Sequence, residues 1–408
     1  MQRFKGALSP HVHESLMTLS TEQQLIAQYL LQRIVNSGFD GRAAGHPIAL
    51  RAFGGSGKTH MLRAMCNNLT SWRINFAVVA FTGRAAAQIA KEGIPAKTCH
   101  SLLKEPVMDE QGNLIRWKDR DIDEIRAAVG SVIFVDEASM IPEDMHLALT
   151  AAGVLVIYIG DDEQQPPVNS EGCDPDFDVF SYVNNHPNGI ILELTHNFRQ
   201  ASGSKIAEAC YHIRTTGRIP QLPASLEYQV IRQSAVWNLT YHKENHFDLM
   251  VCGTNATRKR LNRLARTARG FDDPEVAMTG ETVMCLSNDI IAGVKINNGE
   301  LFKVEWMSRG EHISSFNLSA LDREGVRVTV KVHNDCWLGE EGPFTINGDP
   351  NKKLGVFGFG YASTSYKVQG SQADKVLMID EDTTFFLDRR KYRYTCASRA
   401  RQHLTIAV

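Results

Sequence analysis

Four short apolar runs punctuate the first half of the chain: Pro47–Phe53, Phe76–Phe81, Val132–Val135 and Val154–Ile159. Each is rich in Val, Ile, Ala and Phe and gives way to glycine or acidic residues. Runs of this kind predict strands buried on both faces, the habit of a parallel sheet covered by helices. Helical patterns at Thr59–Leu69 and Arg84–Lys91 lie between them, giving a βαβ rhythm.

The rhythm breaks between His100 and Val129. Glu105–Trp117 reads as two short strands around an Asp-Glu-Gln-Gly-Asn turn, a small inserted hairpin. A second α/β pattern begins after Thr195. From about Glu281 to Asn334 the texture turns β-rich, with turns expected at Asn297-Asn298-Gly299 and Asp322–Gly325. In Arg327–Val332, valines at 328, 330 and 332 alternate with polar residues, as a half-buried strand requires. The Gly-rich segment Gly355–Gly360 is expected to return the chain to strands and helices up to its last residue.

The chain has 408 residues, 43% of them hydrophobic and 22% charged, which fits a globular protein of two to four structural units. Eight scattered cysteines with no Cys-x-x-Cys pair speak for reduced, buried thiols rather than a disulfide framework or a metal cluster. No stretch approaches the roughly 20 apolar residues of a membrane span, and the first eighteen hold no signal-like run, so a soluble protein of the cytoplasm is expected. The formal net charge is −2, which counts against a nucleic-acid binder until the charges are placed. Residues 257–270 carry six basic side chains and no acid, with Arg260, Arg263, Arg266 and Arg269 at i, i+3 spacing. Residues 389–401 carry another six basic side chains without an acid, whereas 160–178 hold seven acids and no Lys or Arg. Either basic run is a solvated face or a track for phosphates, and the second reading predicts salt-sensitive DNA affinity.

The chemistry concentrates after the first strand. Residues 52–59 read AFGGSGKT, at the junction of a strand and a helix. Gly54, Gly55 and Gly57, with Ser56 between them, let backbone N–H groups curl round a phosphate chain. Lys58 reaches the terminal phosphates and the Thr59 hydroxyl holds Mg²⁺, so ATP with Mg²⁺ is the expected cofactor pair. Ala52 stands where the motif usually has its first glycine. Residues 132–137 (VIFVDE) deliver two acids at the end of a buried strand: Asp136 for Mg²⁺, Glu137 to polarise the attacking water. Gly160–Val168 (GDDEQQPPV) follows the fourth strand, with Gln164 as a sensor that orients that water.

In this order the motifs resemble those of superfamily-1 helicases of the 5′-to-3′ branch, which includes the RecD family and phage Dda-type enzymes. Leu19–Gln23 (LSTEQ) is similar to the N-terminal glutamine motif, which implies that Gln23 reads the adenine edge. Phe81–Ala87 (FTGRAAA) and Thr98–Leu102 (TCHSL) resemble two DNA-contact motifs, implying contacts from Thr82, Arg84 and His100, with Phe81 replacing a usual Pro. Asp136–Met140 (DEASM) matches the Walker B sequence. Leu194–Gln200 (LTHNFRQ) resembles the motif that carries an arginine finger, here Arg199. Tyr361–Gly370 (YASTSYKVQG) implies that Thr364 and Lys367 lie near the DNA backbone, with Tyr366 and Val368 as departures from the usual His and Ser. Tyr394–Arg401 (YTCASRAR) resembles the final motif, with Ser398 in place of Thr and Arg399 as a second finger.

The resemblance implies an α/β fold of two RecA-like P-loop lobes with parallel sheets, a small β-hairpin insertion in the first and a β-rich SH3-like insertion in the second. The expected boundaries are 1–103 and 129–194 for lobe one, 104–128 for the hairpin, 195–280 and 354–408 for lobe two, and 281–353 for the SH3-like insertion. The hairpin sits where the family carries its strand-separating pin, with Met108 and Trp117 as candidates for meeting the terminal base pair. An ATP-dependent monomeric DNA helicase follows, translocating 5′ to 3′ on single-stranded DNA in phage-type replication or recombination. Its implied partners are single-stranded DNA, forked duplex and a single-strand-binding or replication protein. The rival readings are an RNA-directed helicase, an ATPase clamp that remodels protein–DNA complexes, and a P-loop kinase, which the Asp-Glu pair disfavours.

Overall fold

The computed structural model describes residues 15–40, 46–108, 110, 114–167, 171–196, 203–321, 323–338, 354–381 and 388–408. The chain divides into two compact units: residues 1–81, 85–105 and 119–203 make the first, and 82–84, 106–118 and 204–408 the second.

The first unit opens with helix α1 (Thr21–Asp40). Strands β1 (Ile48–Ala52), β2 (Phe76–Ala80) and β3 (Ala96–Thr98) follow, joined by helices α2 (Lys58–Ser71) and α3 (Gly83–Lys91). After the short helix α4 (Cys99–Leu103), β4 (Lys104–Met108) and β5 (Leu114–Asp119) pair only with each other, and residues 106–118 of this hairpin count with the second unit. Helix α5 (Ile122–Val129), β6 (Val132–Asp136), α6 (Glu143–Ala151), β7 (Leu155–Gly160), α7 (Val179–Asn185) and β8 (Ile190–Leu194) complete the unit. Six of the strands form one sheet in the order β3-β2-β6-β7-β1-β8, every pair parallel.

Continuous apolar runs make this sheet because both of its faces are covered. Along β6, Val132 and Phe134 pack on one side with Leu30, Met61, Leu62 and Ile89. Ile133 and Val135 pack on the other side with Leu102, Ile125, Leu149 and Val183. The alternating side chains of one strand thus feed two separate cores. The four strands expected from sequence appear within one or two residues of their predicted limits.

The hairpin is present but shorter than expected. Its second strand ends at Asp119, and the remaining residues up to 128 belong to the body of the first unit. Ile125 and Val129 of α5 are buried against Ala77 and Ile133, so burial pulls this stretch into the lobe rather than into the insertion. Of the predicted turn, residues 109 and 111–113 lie outside the described residues.

In the second unit, helix α8 (Lys205–Thr216), β9 (Tyr228–Ile231) and β10 (Leu249–Cys252) lead into helix α9 (Asn255–Ala268). A β-rich stretch follows: β11 (Thr282–Cys285), β12 (Asp289–Ile291), β13 (Val294–Ile296), β14 (Leu301–Ser308), β15 (Ile313–Ala320), β16 (Arg327–His333) and β17 (Phe357–Phe359). Then come β18 (Ala362–Thr364), β19 (Ala373–Ile379), helix α10 (Arg389–Ala397) and β20 (Ala400–Ala407). A parallel sheet runs β18-β10-β19-β20-β9, and an antiparallel one runs β16-β15-β14-β11-β17. The alternation read in Arg327–Val332 is real, since Val328, Val330 and Val332 are buried and their neighbours face solvent.

One boundary moves. Gly355–Gly360 does not resume the parallel sheet, because β17 within it pairs antiparallel with β11. The glycines permit that approach: a Cβ on Gly360 would meet Leu301 Cδ2 at 3.0 Å and Thr282 Cγ2 at 3.1 Å. The β-rich region therefore reclaims residues after 353, and the parallel sheet resumes only at Ala362. The turn at Gly299 is formed with φ +84°, while Asp322 of the other predicted turn and Val168 lie outside the described residues. The eight cysteines are free, six of them buried, and burial pushes the Cys66 and Cys99 thiols up to about 12. Among the described residues no helix is long and apolar enough to cross a membrane.

Candidate active site

Three neighbouring strands, β6, β7 and β1, each end in one of the sequence's chemical motifs. In an open parallel sheet, loops at the carboxyl ends of adjacent strands meet in one crevice, where ligands bind. The phosphate loop leaves β1, the Asp-Glu pair closes β6, and Gly160–Gln164 follow β7.

Helix α2 begins at Lys58 without any side-chain cap, after Gly57 in the left-handed region at φ +77°. Its first N–H groups are therefore left for an anion, and the glycine reaches this conformation at no steric cost. Gly55 is also left-handed, at φ +94°, and Ser56 N–H donates to Phe53 O at 3.1 Å, closing the loop on itself. Ala52 is the buried last residue of β1, where a methyl group is accommodated. Thr59 lies half-buried in the first turn of α2.

The Lys58 ammonium donates to Glu137 Oε1 at 2.7 Å and stands 3.2 Å from Asp136 Oδ1. Burial pulls its pKa down, but the two carboxylates outweigh burial and hold it above the ordinary lysine value. Asp136 is 4% exposed; burial raises its pKa, the charge of Glu137 adds to this, and Lys58 opposes it. Glu137 itself sits at φ 52°, ψ 44°, a left-handed conformation that a non-glycine residue seldom adopts and that functional sites often hold. Close packing fixes this corner: a Cβ on Gly160 would come within 2.8 Å of Ala138 N.

Around the cluster, buried polar atoms lack hydrogen-bond partners: Ser56 Oγ, Ser139 Oγ and Gln164 Oε1. Orphaned buried donors and acceptors are rare in folded proteins, and three bordering a phosphate loop fit a ligand with many oxygens. Gln164 is 4% exposed and fixed at its backbone by donation to Asp161 O. Mg²⁺ characteristically takes one or two protein oxygens together with the phosphates it bridges. Thr59 and Asp136 supply such a set. Among the described residues there is no group of three or more His, Cys, Asp or Glu suited to a metal.

Gln23, expected at the adenine edge, is buried at the start of α1. Its Oε1 accepts from Ser20 N and its N–H donates to Ser20 Oγ, a reciprocal capping box that starts α1. Its Nε2 donates to Ser56 O at 2.9 Å and Gly57 O at 3.4 Å. Its side-chain amide thus joins the helix cap to the phosphate loop. The Ser20-x-x-Gln23 spacing was the missed sequence signal. Beside it, Glu22 was not singled out by sequence, yet it binds Thr195 N, Thr195 Oγ and His196 N. Burial pushes its carboxyl up, but these hydrogen bonds outweigh burial and leave its pKa lowered.

The residues expected at DNA fall in two places. Thr82 and Arg84 follow β2 and are half-buried, while His100 follows the neighbouring β3 and its ring lies 5.9 Å from that of Phe81. Thr364 ends β18 in the second unit and Lys367 follows it, both half-buried. On the hairpin, Met108 is 43% exposed and Trp117 half-buried. Arg199 lies outside the described residues. Arg399 is 4% exposed, and donates to Thr395 O, Ser371 O and Ser398 Oγ. Three of its five N–H groups are thereby engaged within its own unit.

Much of the two basic runs proves to be scaffold rather than a phosphate track. Arg266 is buried in a bidentate pair with Glu281, at 2.7 and 2.8 Å, with its guanidinium 3.9 Å over the Phe359 ring. Arg258 is buried on Asn255 Oδ1, and Arg269 donates to Ala265 O and Phe247 O. In the second run, Arg389 and Arg393 bind Asp380, and Arg401 binds Asp374. Helical spacing places four arginines along α9, but one side of that helix faces the core, and the arginines there are buried with partners.

Residues 43–234 match the AAA domain family, and residues 359–407 match the UvrD-like helicase C-terminal domain family. The chain is 28% identical over 383 residues to the ATP-dependent RecD2 DNA helicase of Deinococcus radiodurans, which covers 88% of this chain and 46% of that protein. It is 27% identical over 131 residues to the ATP-dependent DNA helicase PIF3 of Trypanosoma brucei brucei, 32% of this chain and 13% of that one. The chain thus spans less than half the length of either relative. Among solved structures, the Pif1 helicase from Bacteroides in complex with ADP-AlF3 and ssDNA superposes with a TM-score of 0.57 at 18% identity, covering 96% of this chain and 92% of that one. Pif1 helicase from Candida albicans gives 0.52 at 16% identity, covering 95% and 94%. At such identities the structural likeness speaks for the fold, two RecA-like units with parallel sheets. With both units matched in chain order and the phosphate loop and Asp-Glu pair in place, the chain is similar to the superfamily-1 helicases over both of its units.

Proposed function

We propose that the chain is an ATP-driven motor that translocates 5′ to 3′ on single-stranded DNA and separates duplex strands, as a cytoplasmic monomer in phage-type replication or recombination. The observation that carries the reading is the cluster of half-buried Lys58 and Glu137 with buried Asp136, beside an uncapped helix N-terminus. The names of the relatives, DNA helicases, and the single-stranded DNA in the Bacteroides Pif1 structure support DNA as the track.

Bound Mg²⁺ would neutralise phosphate charge, and Thr59 and Asp136 are the residues to hold it. The loop N–H groups and Lys58 bind the terminal phosphates. Glu137 takes a proton from the attacking water, and Gln164 aligns that water through its unpartnered amide oxygen. Gln23 keeps the loop in shape from behind. Arg199 and Arg399 are the candidate fingers. Thr82, Arg84, His100, Thr364 and Lys367 are the proposed backbone contacts, and the hairpin tipped by Met108 and backed by Trp117 is the proposed pin.

Turnover measured alone, with single-stranded DNA and with single-stranded RNA, followed by forked duplexes carrying a 5′ or 3′ tail, tests this. Stimulation by DNA and opening of 5′-tailed forks are expected. ATPase indifferent to nucleic acid defeats the motor reading, greater stimulation by RNA redirects the substrate, and opening only from a 3′ tail reverses the polarity.

A further inference from the structure

Consecutive residues at the start of α1 hold two different parts of the first unit. We infer that Glu22 is a positioning residue, clamping the exit of β8 to the same helical turn that braces the phosphate loop, so that the bound nucleotide sets where the chain leaves for the second unit. This rests on the ATP-driven reading above.

Successive helical side chains diverge by about 100° round the axis, so one turn can grip two neighbours. On one side, Gln23 donates to Ser56 O and Gly57 O in the loop. On the other, Glu22 Oε1 accepts from Thr195 N at 2.9 Å and Thr195 Oγ at 2.6 Å, and Oε2 accepts from His196 N at 3.2 Å. The Ser20–Gln23 capping box stiffens the turn between the two grips. Register brings the clamped segments side by side, since Ala52, the last residue before the loop, pairs with Leu194, the last residue before Thr195. Residues 204–408, the long stretch of the second unit, come after these in the chain.

Thr195 and His196 are exposed, so water could satisfy their N–H groups, and stability alone does not call for a carboxylate there. A charge-assisted grip by three donors fixes position instead. A shift of the loop on binding nucleotide would be passed through one stiff turn to the strand exit. Coupling follows only if the loop differs between nucleotide states, as any population shift demands.

The test uses the full chain as wild type, Glu22→Ala, Glu22→Gln and Thr195→Val. Affinity for a fluorescent ATP analogue and ATPase with and without oligo-dT are measured. Glu22→Ala is expected to bind nucleotide within about twofold of wild type while losing about tenfold in DNA-stimulated turnover, a typical coupling magnitude. Glu22→Gln keeps the oxygen that serves Thr195 and recovers most of the loss. Thr195→Val loses part of it and adds nothing to Glu22→Ala, as members of one contact should. Undiminished stimulation in Glu22→Ala, or nucleotide affinity falling as far as turnover, overturns the proposal. Hydrogen exchange supplies a readout independent of DNA: nucleotide should change protection at Thr195 and His196 in wild type and not in Glu22→Ala. Equal changes in both defeat the clamp even where turnover is normal. Absence of DNA stimulation in wild type defeats the motor reading alone, since the exchange result still decides the clamp.

Discussion

The molecule buries two clusters of cation and carboxylate, and they are built to opposite ends. Arg266 and Glu281, 3% and 0% exposed at their side chains, meet in a bidentate pair. Arg266 also donates to Val276 O and lies over Phe359, while Glu281 accepts from Met278 N and Tyr361 Oη–H. Lys58 stands between Asp136 and Glu137, the latter held at positive φ, and the loops at this end of the sheet carry the orphaned Ser56 Oγ, Ser139 Oγ and Gln164 Oε1. Satisfaction, more than depth or charge, separates them. A complete network has nothing left to bind and serves as scaffold. An incomplete one costs stability and keeps its donors for a ligand.

Breaking each cluster should therefore give opposite phenotypes. Lys58→Ala is expected to lower ATP turnover by at least about 10³-fold, the scale of removing a cation from a phosphoryl-transfer site. Little destabilisation should accompany it, because Asp136, with its raised pKa, can take up a proton when the ammonium is gone. Turnover assays beside thermal melts check this; substantial residual ATPase would remove Lys58 from the phosphate site.

Arg266→Ala should do the reverse. Leaving Glu281 buried and unpaired costs about 3–5 kcal/mol, read as a lower denaturation midpoint, with turnover per folded molecule unchanged. The apolar double variant Arg266→Met with Glu281→Leu should regain most of that stability. Should the single variant melt like wild type, the pair is not the scaffold described.

These two clusters also mark how far the sequence could be read. The phosphate loop, the Asp-Glu pair and the strands beneath them were legible because their chemistry is local: a few neighbours along the chain carry the whole motif. Arg266 looked like one of six similar basic residues in 257–270, because its partner Glu281 lies fifteen positions away, beyond the acid-free run. Glu22 escaped notice for the same reason, its partners Thr195 and His196 being brought to it by the pairing of β1 with β8. Pairing between strands likewise decided that β17 joins β11, a choice its own residues Phe357–Phe359 do not encode. Gln23 is a different case. Its capping box with Ser20 is local, whereas its grip on Ser56 O and Gly57 O reaches more than thirty positions along the chain.

A third buried polar site extends the comparison to pH. His146 lies among Tyr158, Phe177 and Tyr182, its Nδ1 2.7 Å from Tyr158 Oη, and burial pulls its pKa down to about 4, only partly opposed by Glu143. A base depressed in the folded state binds its proton more readily in the unfolded chain, so stability falls as pH drops from about 6.5 towards 4. The full loss is about 3 kcal/mol. His146→Gln keeps a partner for Tyr158 without a titrating ring, and denaturant midpoints at pH 7 and 4.5 should draw closer together in the variant. Equal pH dependence in both proteins would mean that His146 does not titrate as a satisfied core residue.

The smallest effect separates scaffold from surface on α9 itself. Arg266 faces the core and Arg269 is committed to backbone carbonyls, whereas Arg260 and Arg263 are exposed. Arg260 is partly engaged, its guanidinium 3.9 Å over the Trp237 ring. If α9 tracks single-stranded DNA, Arg263→Ala should reduce the slope of log affinity against log salt by about 0.7, the contribution of one phosphate on a single strand. Arg260→Ala should reduce it by less. A run of six basic residues would give a far steeper dependence if all of them met phosphates, so the slope of the wild-type chain measures how many do. An unchanged slope in Arg263→Ala would leave α9 as scaffold on every face, and would place the DNA path on the strand ends that carry Thr82, His100 and Thr364.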